Sequence, residues 1–198
     1  DWDNIDTTGK LTKRYYNGEK SWNAGAFSNL GGIHPDYGWG TYNQSTHNLT
    51  AKRIFVVKMP NGDFKKMIID KMETSGNVVF RVANINGTNL VTKTFNKNTY
   101  KNRNFIHYNL NTDEFIEFEA ESAKWELNFT KYYSEVAPGA QYPVSGVKIN
   151  RDIKIAQRDN MMVTSNDTSS ITYNDNITEI GSDWKTYNMP ANKYDVTA

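Results

Sequence analysis

The sequence has no cysteine among its 198 residues, which excludes disulfide staples, thiol nucleophiles and thiolate metal centres together. It also lacks any apolar run near the roughly 20 residues that a membrane-spanning helix requires, so no transmembrane segment is expected. Neither charge is in real excess. The 23 Lys and Arg stand against 22 Asp and Glu, which leaves no broad field to gather a polyanion, and nucleic acid is not an expected partner. Ala and Leu are sparse where Asn, Thr, Tyr and Gly are abundant, a bias toward strands and turns. A chain of this length can bury a core as one large domain or two small ones without covalent help.

What is present reads as an all-β chain of antiparallel meanders and hairpins with very little helix. Residues 53 to 85 run "RIFVVKM", "PNGD", "FKKMIIDKM", "ETSG", "NVVFRVANI", the pattern of a three-stranded meander. Asn61-Gly62 suits the two positive φ values of a type I′ turn. Ile54, Val56 and Met67 are expected to line one face, with Lys65, Lys66, Lys71 and Arg81 held at solvent. Residues 89 to 104 are polar and turn-rich and read as a linker or long loop.

Strand signals return in "FIHYNL" (105 to 110) and "EFIEFE" (114 to 119), joined by Asn111-Thr112-Asp113, and then in "KWELNFTKYY". There Trp125, Leu127 and Phe129 alternate with polar residues at the period of two. A further hairpin is expected from "VKI" and "IKIAQ" around Asn150-Arg151-Asp152, followed by "DNMMV" and a polar loop over 164 to 178.

One string occurs twice. "WGTYN" at 39 to 43 matches "WKTYN" at 184 to 188, and allowing a two-residue insertion Leu49-Thr50-Ala51 pairs with Val196-Thr197-Ala198. The first copy leads into the meander, and the second stops short of one. Read as a repeat, this leaves the three-stranded half of the second unit missing. The chain would then be a window cut across two units of a longer protein.

Three stretches carry a family resemblance: "GWGTYNQSTHNLTAKRIFVVKMPNGDFKKMII" running to "VVFRVANI", "FIHYNLNTDEFIEFEAESAKWELNFTKYY", and "YPVSGVKINRDIKIAQ". Together they resemble the HmuY-like family of Bacteroidetes, whose founding member is a haem-binding haemophore, and in particular its long secreted members with repeated units. The resemblance implies an HmuY-like β fold and a secreted or outer-membrane-associated, cell-surface location, and the order of halves in the family implies that residues 1 to 88 are the C-terminal half of one unit and 105 to 198 the N-terminal half of a second, truncated one. It further implies a non-catalytic binding role with haem as the cofactor, and an outer-membrane receptor or surface complex as partner. The alternative is an accessory or structural subunit that docks on such a complex, or forms part of a longer surface protein, with no small-molecule ligand. Trp22, Trp39, Tyr42, Tyr132 and Tyr133 would then serve as interface anchors.

Haem requires an apolar slot and an axial His or Met. The positions matching the founding member's histidine, Asn128 to Tyr132, hold neither; the resemblance to related members with paired methionines implies Met161-Met162 as candidate axial ligands, and His107 in mid-strand is a further candidate. Against this stand two ordinary roles, a half-buried His bonded to backbone and a methionine pair filling core. His47 reads as part of a turn and His34 as a loop residue. The acidic run with Glu117, Glu119 and Glu121 reads as a solvated strand edge, not as a glycosidase pair. No motif for a catalytic nucleophile, a phosphate loop or paired metal histidines is present, and no catalytic residue is assigned.

Overall fold

The computed structural model describes residues 1–5, 16, 18, 25, 27–28, 32–157, 172–175, 180–182 and 184–196. These residues are mostly antiparallel strand, and no α-helix occurs among them, so the chain is all-β. It divides into two compact units, 1–16 with 20–119 and 17–19 with 120–198.

The first unit is a six-stranded antiparallel sheet of β1 (Gly40–Tyr42), β2 (Leu49–Ala51), β3 (Phe55–Lys58), β4 (Phe64–Met72), β5 (Asn77–Asn84) and β6 (Val91–Asn96), with a separate hairpin of β7 (His107–Asn109) and β8 (Glu114–Ile116). β5 pairs along one side of β4. β2 and β3 share the other, with Leu49 opposite Met72 and Phe55 opposite Met67. β6 pairs with β5 from Asn77↔Asn96 to Val82↔Val91, so the polar stretch expected to be a loop is partly a strand. Its Thr and Lys side chains are tolerated because an edge strand is wet on one side.

Register also corrects the expected faces. Phe55 pairs with Met67 and Met67 with Val82, which places these three on one face. Val56 is opposite Lys66, and Lys66 opposite Ala83, on the reverse face. Lys66 is not at solvent but 1 % exposed. Trp2 lies over it: Lys66 Nζ donates to the Trp2 carbonyl at 2.5 Å and sits 4.8 Å from the indole centre, while Arg81 lies 4.9 Å from the same ring. A cation can be buried there because a carbonyl and a π face replace its water. Arg81 is fixed by a two-point pair with Asp70, at 2.8 and 2.7 Å.

Two kinds of turn build this unit. In the meander, the N–H of Met59, Glu73 or Asn84 donates to the carbonyl four residues on, and the glycine three residues on donates back. Gly62, Gly76 and Gly87 have φ of 94°, 91° and 87°. Each turn thus has one left-handed residue, not the two of a type I′ turn, and the longer loop adds a bulge.

The other kind explains the recurring string. Tyr42-Asn43, Tyr108-Asn109 and Tyr187-Asn188 each open a four-residue loop whose last residue, His47, Asp113 or Asn192, has φ of 56°, 57° or 51°. His, Asp and Asn are the non-glycine residues that best tolerate this region. Asn43 Oδ1 accepts the N–H groups of Ser45 and Thr46, and Asn109 Oδ1 those of Asn111 and Thr112. Asn188 Oδ1 accepts that of Ala191 alone, since Pro190 has no N–H to offer. Each tyrosine hydroxyl meets the left-handed residue: His47 Nδ1 at 2.5 Å, Asp113 Oδ1 at 3.4 Å, Asn192 Oδ1 at 2.6 Å.

The first and third of these hairpins also share a register. Tyr42↔Leu49 matches Tyr187↔Tyr194, and Thr41↔Thr50 matches Thr186↔Asp195, so the strings align without an insertion. Leu49-Thr50-Ala51 corresponds to Tyr194-Asp195-Val196. Because Tyr108-Asn109 builds the same loop without the Trp-x-Thr prefix, the loop does not by itself mark a repeated unit.

The second unit centres on β9 (Leu127–Ala137) and β10 (Ala140–Ile149), one long hairpin, with β11 (Lys185–Asn188) and β12 (Lys193–Val196) as a shorter one. Gly146 is required by close approach: a Cβ there would lie 2.5 Å from the Gly181 carbonyl and 2.7 Å from the Tyr132 ring. Tyr132, Val147, Lys148, Ile149 and Asn150 are buried, with Lys148 Nζ 4.2 Å from the Tyr132 ring centre. Asn150 is therefore no exposed hairpin turn. Its side chain donates to the carbonyls of Ser122 and Trp125, and beyond it Ile155 makes a lone bridge with Asn174 instead of a paired strand.

The turn glycines give a graded test. Gly62→Ala meets open space and suffers only the left-handed backbone, an expected loss of about 1 kcal/mol. At Gly76 a Cβ would stand 2.5 Å from Asn98 Nδ2 and 2.9 Å from Asn96 Oδ1, side chains that both donate to the Ser75 carbonyl. Gly76→Ala is expected to exceed Gly62→Ala by about another 1 kcal/mol in urea unfolding, and equal midpoint shifts would contradict this account of the turn.

Candidate functional site

The β7–β8 hairpin has two unlike faces because its pairs alternate across it. Tyr108 and Phe115 point inward to an aromatic cluster, with ring centres of Tyr108 and Phe80 5.0 Å apart and those of Phe95 and Phe115 5.6 Å apart. Burial pushes the Tyr108 hydroxyl pKa up, and the charge of Asp113 adds to this. His107 and Ile116 are opposite one another on the outward face.

On that outward side the His107 imidazole is 4.6 Å from the Phe118 ring and 6.1 Å from that of Phe105, centre to centre. Phe118 is 73 % exposed and Ile116 is exposed as well, whereas Phe105 and His107 are half-buried. The imidazole makes no hydrogen bond to the described residues, which departs from the ordinary role of a half-buried histidine tied to backbone. The site is thus a nitrogen donor framed by apolar side chains that face water.

Carboxylates hold this frame. Glu119 accepts the N–H of Phe105 at 2.8 Å and that of Asn104 at 3.3 Å, and Glu117 pairs with Arg103 at 3.2 Å. The acidic run expected to be a solvated strand edge therefore lies past the end of β8 and pins the approach to β7. Phe118 and Ile116 escaped the sequence reading, which weighed that run for its charges. The signal available was the apolar residue at every second position through it.

Met161 and Met162 lie outside the described residues, as does Trp22. His47 is a turn residue, as expected from its place in the motif. Tyr132, expected to be an exposed anchor in the docking alternative, is 2 % exposed and belongs to the core of its unit.

A second group of rings surrounds the β1–β2 loop: His34 and Tyr42 at 5.4 Å, Tyr37 and Tyr42 at 5.8 Å, Tyr42 and His47 at 6.0 Å. Beneath it Asp36 accepts from Lys52 Nζ at 2.6 Å, from Arg53 Nη1 at 3.1 Å and from the Gly38 N–H at 2.9 Å. Arg53 also donates to the Gly38 carbonyl. This network ties β1 to the break between β2 and β3. No group of three or more His, Asp or Glu able to hold a metal ion occurs among the described residues, and no helix there is long and apolar enough to cross a membrane. Comparison with protein families, with characterised proteins and with solved structures finds no match to this chain.

The Arg53 guanidinium first, then Lys52 and the Gly38 N–H, hold the Asp36 carboxyl well below the usual carboxylate range. A carboxyl whose pKa falls on folding stabilises the fold fully above its unfolded pKa, roughly 4. That contribution is lost as pH drops toward the folded value. Asp36→Asn is therefore expected to lower the urea midpoint at pH 7 and to flatten the fall of stability below about pH 4. A difference from the parent chain that stays constant from pH 7 to pH 3 would show that the carboxylate charge is not involved.

Proposed function

We propose that this chain is a non-catalytic binding module of the secreted or cell-surface fraction, with the outward face of β7–β8 as its ligand surface and haem or a related porphyrin as the ligand class. The observation that supports the reading is the His107 imidazole, without a hydrogen bond among the described residues and framed by Phe105, Ile116 and Phe118. A flat apolar macrocycle with a metal at its centre asks for this combination. His107 is the residue that would hold the iron, and the three apolar side chains would cover the ring. The resemblance of the sequence to the HmuY-like family supports the same ligand class and location.

A second reading is docking on an outer-membrane receptor or surface complex without a small ligand. It is favoured by one observation: β9 presents Leu127 and Phe129 on its exposed side, the latter 76 % exposed. Large apolar side chains at solvent are typical of interface anchors.

Titration of the chain with haemin separates the two. The first reading expects a shifted Soret band that saturates and disappears in His107→Ala. Phe118→Ser should weaken binding by about tenfold, the order expected from losing one buried aromatic side chain, while Phe129→Ser should leave it unchanged. A Soret band that does not move in either redox state would sink the ligand assignment. One that survives His107→Ala but is lost in Met161→Ala or Met162→Ala would move the axial donor to the methionine pair.

A further inference from the structure

The two hairpins that carry Trp-x-Thr-Tyr-Asn share loop and register but differ at one edge. In the first, Asn43 donates its N–H to the Asn48 carbonyl at 2.9 Å. The next pair, Tyr42↔Leu49, is then of the non-hydrogen-bonded kind, in which Leu49 turns its own N–H and C=O away from β1. They face β4, where Leu49 is opposite Met72 and Thr50 opposite Lys71. Under that cover Leu49 is 7 % exposed.

In the other hairpin Tyr194 holds the place of Leu49 and Asp195 that of Thr50. No described strand pairs with the outer edge of β12, and Tyr194 is 57 % exposed. The residue that differs most in chemistry is the one that would face a lysine. Asp195 is an anion, held below the usual carboxylate range by Asn188 and Lys193, so it stays charged at neutral pH.

We propose that the outer edge of β12 is a strand-docking site, and that its occupant is an extended segment with the chemistry of β4, added antiparallel with a basic residue opposite Asp195 and an apolar one opposite Tyr194. Backbone hydrogen bonds along the edge supply the affinity. The cross-strand Lys–Asp and Met–Tyr pairs set the register. The β7–β8 hairpin, which has the same loop and a likewise unpaired outer edge among the described strands, carries no such pattern, since Ile116 and not an acid holds the place of Asp195.

The probe is a fluorescent nonapeptide with the sequence of Phe64–Met72, FKKMIIDKM, titrated into the full chain and followed by anisotropy. In β4 the side chain of Lys71 pairs with Glu73. The peptide stops short of that glutamate, which leaves its lysine for Asp195. Saturable binding is expected, weakened at least tenfold by Asp195→Lys and by Tyr194→Pro, which removes the outward N–H and keeps the β11 side intact. A peptide carrying Lys71→Glu should bind the parent chain at least tenfold more weakly and regain its affinity on the Asp195→Lys chain. That exchange keeps the test decisive if Tyr194→Pro disturbs the hairpin. Absence of saturable binding, binding indifferent to the charge exchange, or self-association of the chain that the peptide does not compete away would each overturn the proposal.

Discussion

The first unit depends on β4 having both of its edges satisfied. A nine-residue strand presents two rows of N–H and C=O groups, and each must find partners once it is buried. β5 satisfies one row. The other is shared by β2 and β3, two short strands separated by Lys52, Arg53 and Ile54. At that break the chain turns its polar groups to other uses: the N–H groups of Lys52 and Arg53 donate to the Trp39 carbonyl, and their side chains reach Asp36. The ion network at Asp36 is thus a consequence of dividing one edge between two strands, and it positions the ring cluster around Tyr42.

The candidate ligand surface follows from the same sheet. Phe80 and Phe95, on β5 and β6, close over Tyr108 and Phe115 and fix which side of the β7–β8 hairpin is buried. His107 and Ile116 must then face outward, because neighbouring residues on a strand alternate. The apolar outward face is unusual for a solvated hairpin, and this makes it informative. Polar residues would suffice there if water were its only neighbour.

Much of the architecture was legible in residue order. Asn-Gly and Ser-Gly between alternating apolar runs announced the meander, and Asn111-Thr112-Asp113 announced the β7–β8 turn, since each has a local stereochemical cause. Other features were misread for reasons that are equally physical. Val91–Asn96 looks like a loop because four of its six residues are polar, and only pairing with β5 makes it a strand. Lys66 reads as solvent-facing in any periodic pattern, yet Trp2, 64 residues earlier in the chain, supplies the carbonyl and ring that let it be buried. No local rule anticipates a partner at that distance.

The recurring Tyr-Asn string draws the line between the two levels. The sequence alone determined the loop: an asparagine to accept the turn's N–H groups, then a His, Asp or Asn four residues later where the backbone becomes left-handed. Both requirements act over five residues and are met after Tyr42, Tyr108 and Tyr187. What the finished hairpin does was decided by tertiary structure. The same loop leads into a strand docked on β4, a hairpin closed over Phe80, or an edge with no partner among the described strands. A turn specifies the register of its own two strands and leaves their outer edges open, so what meets those edges depends on groups far away in the chain.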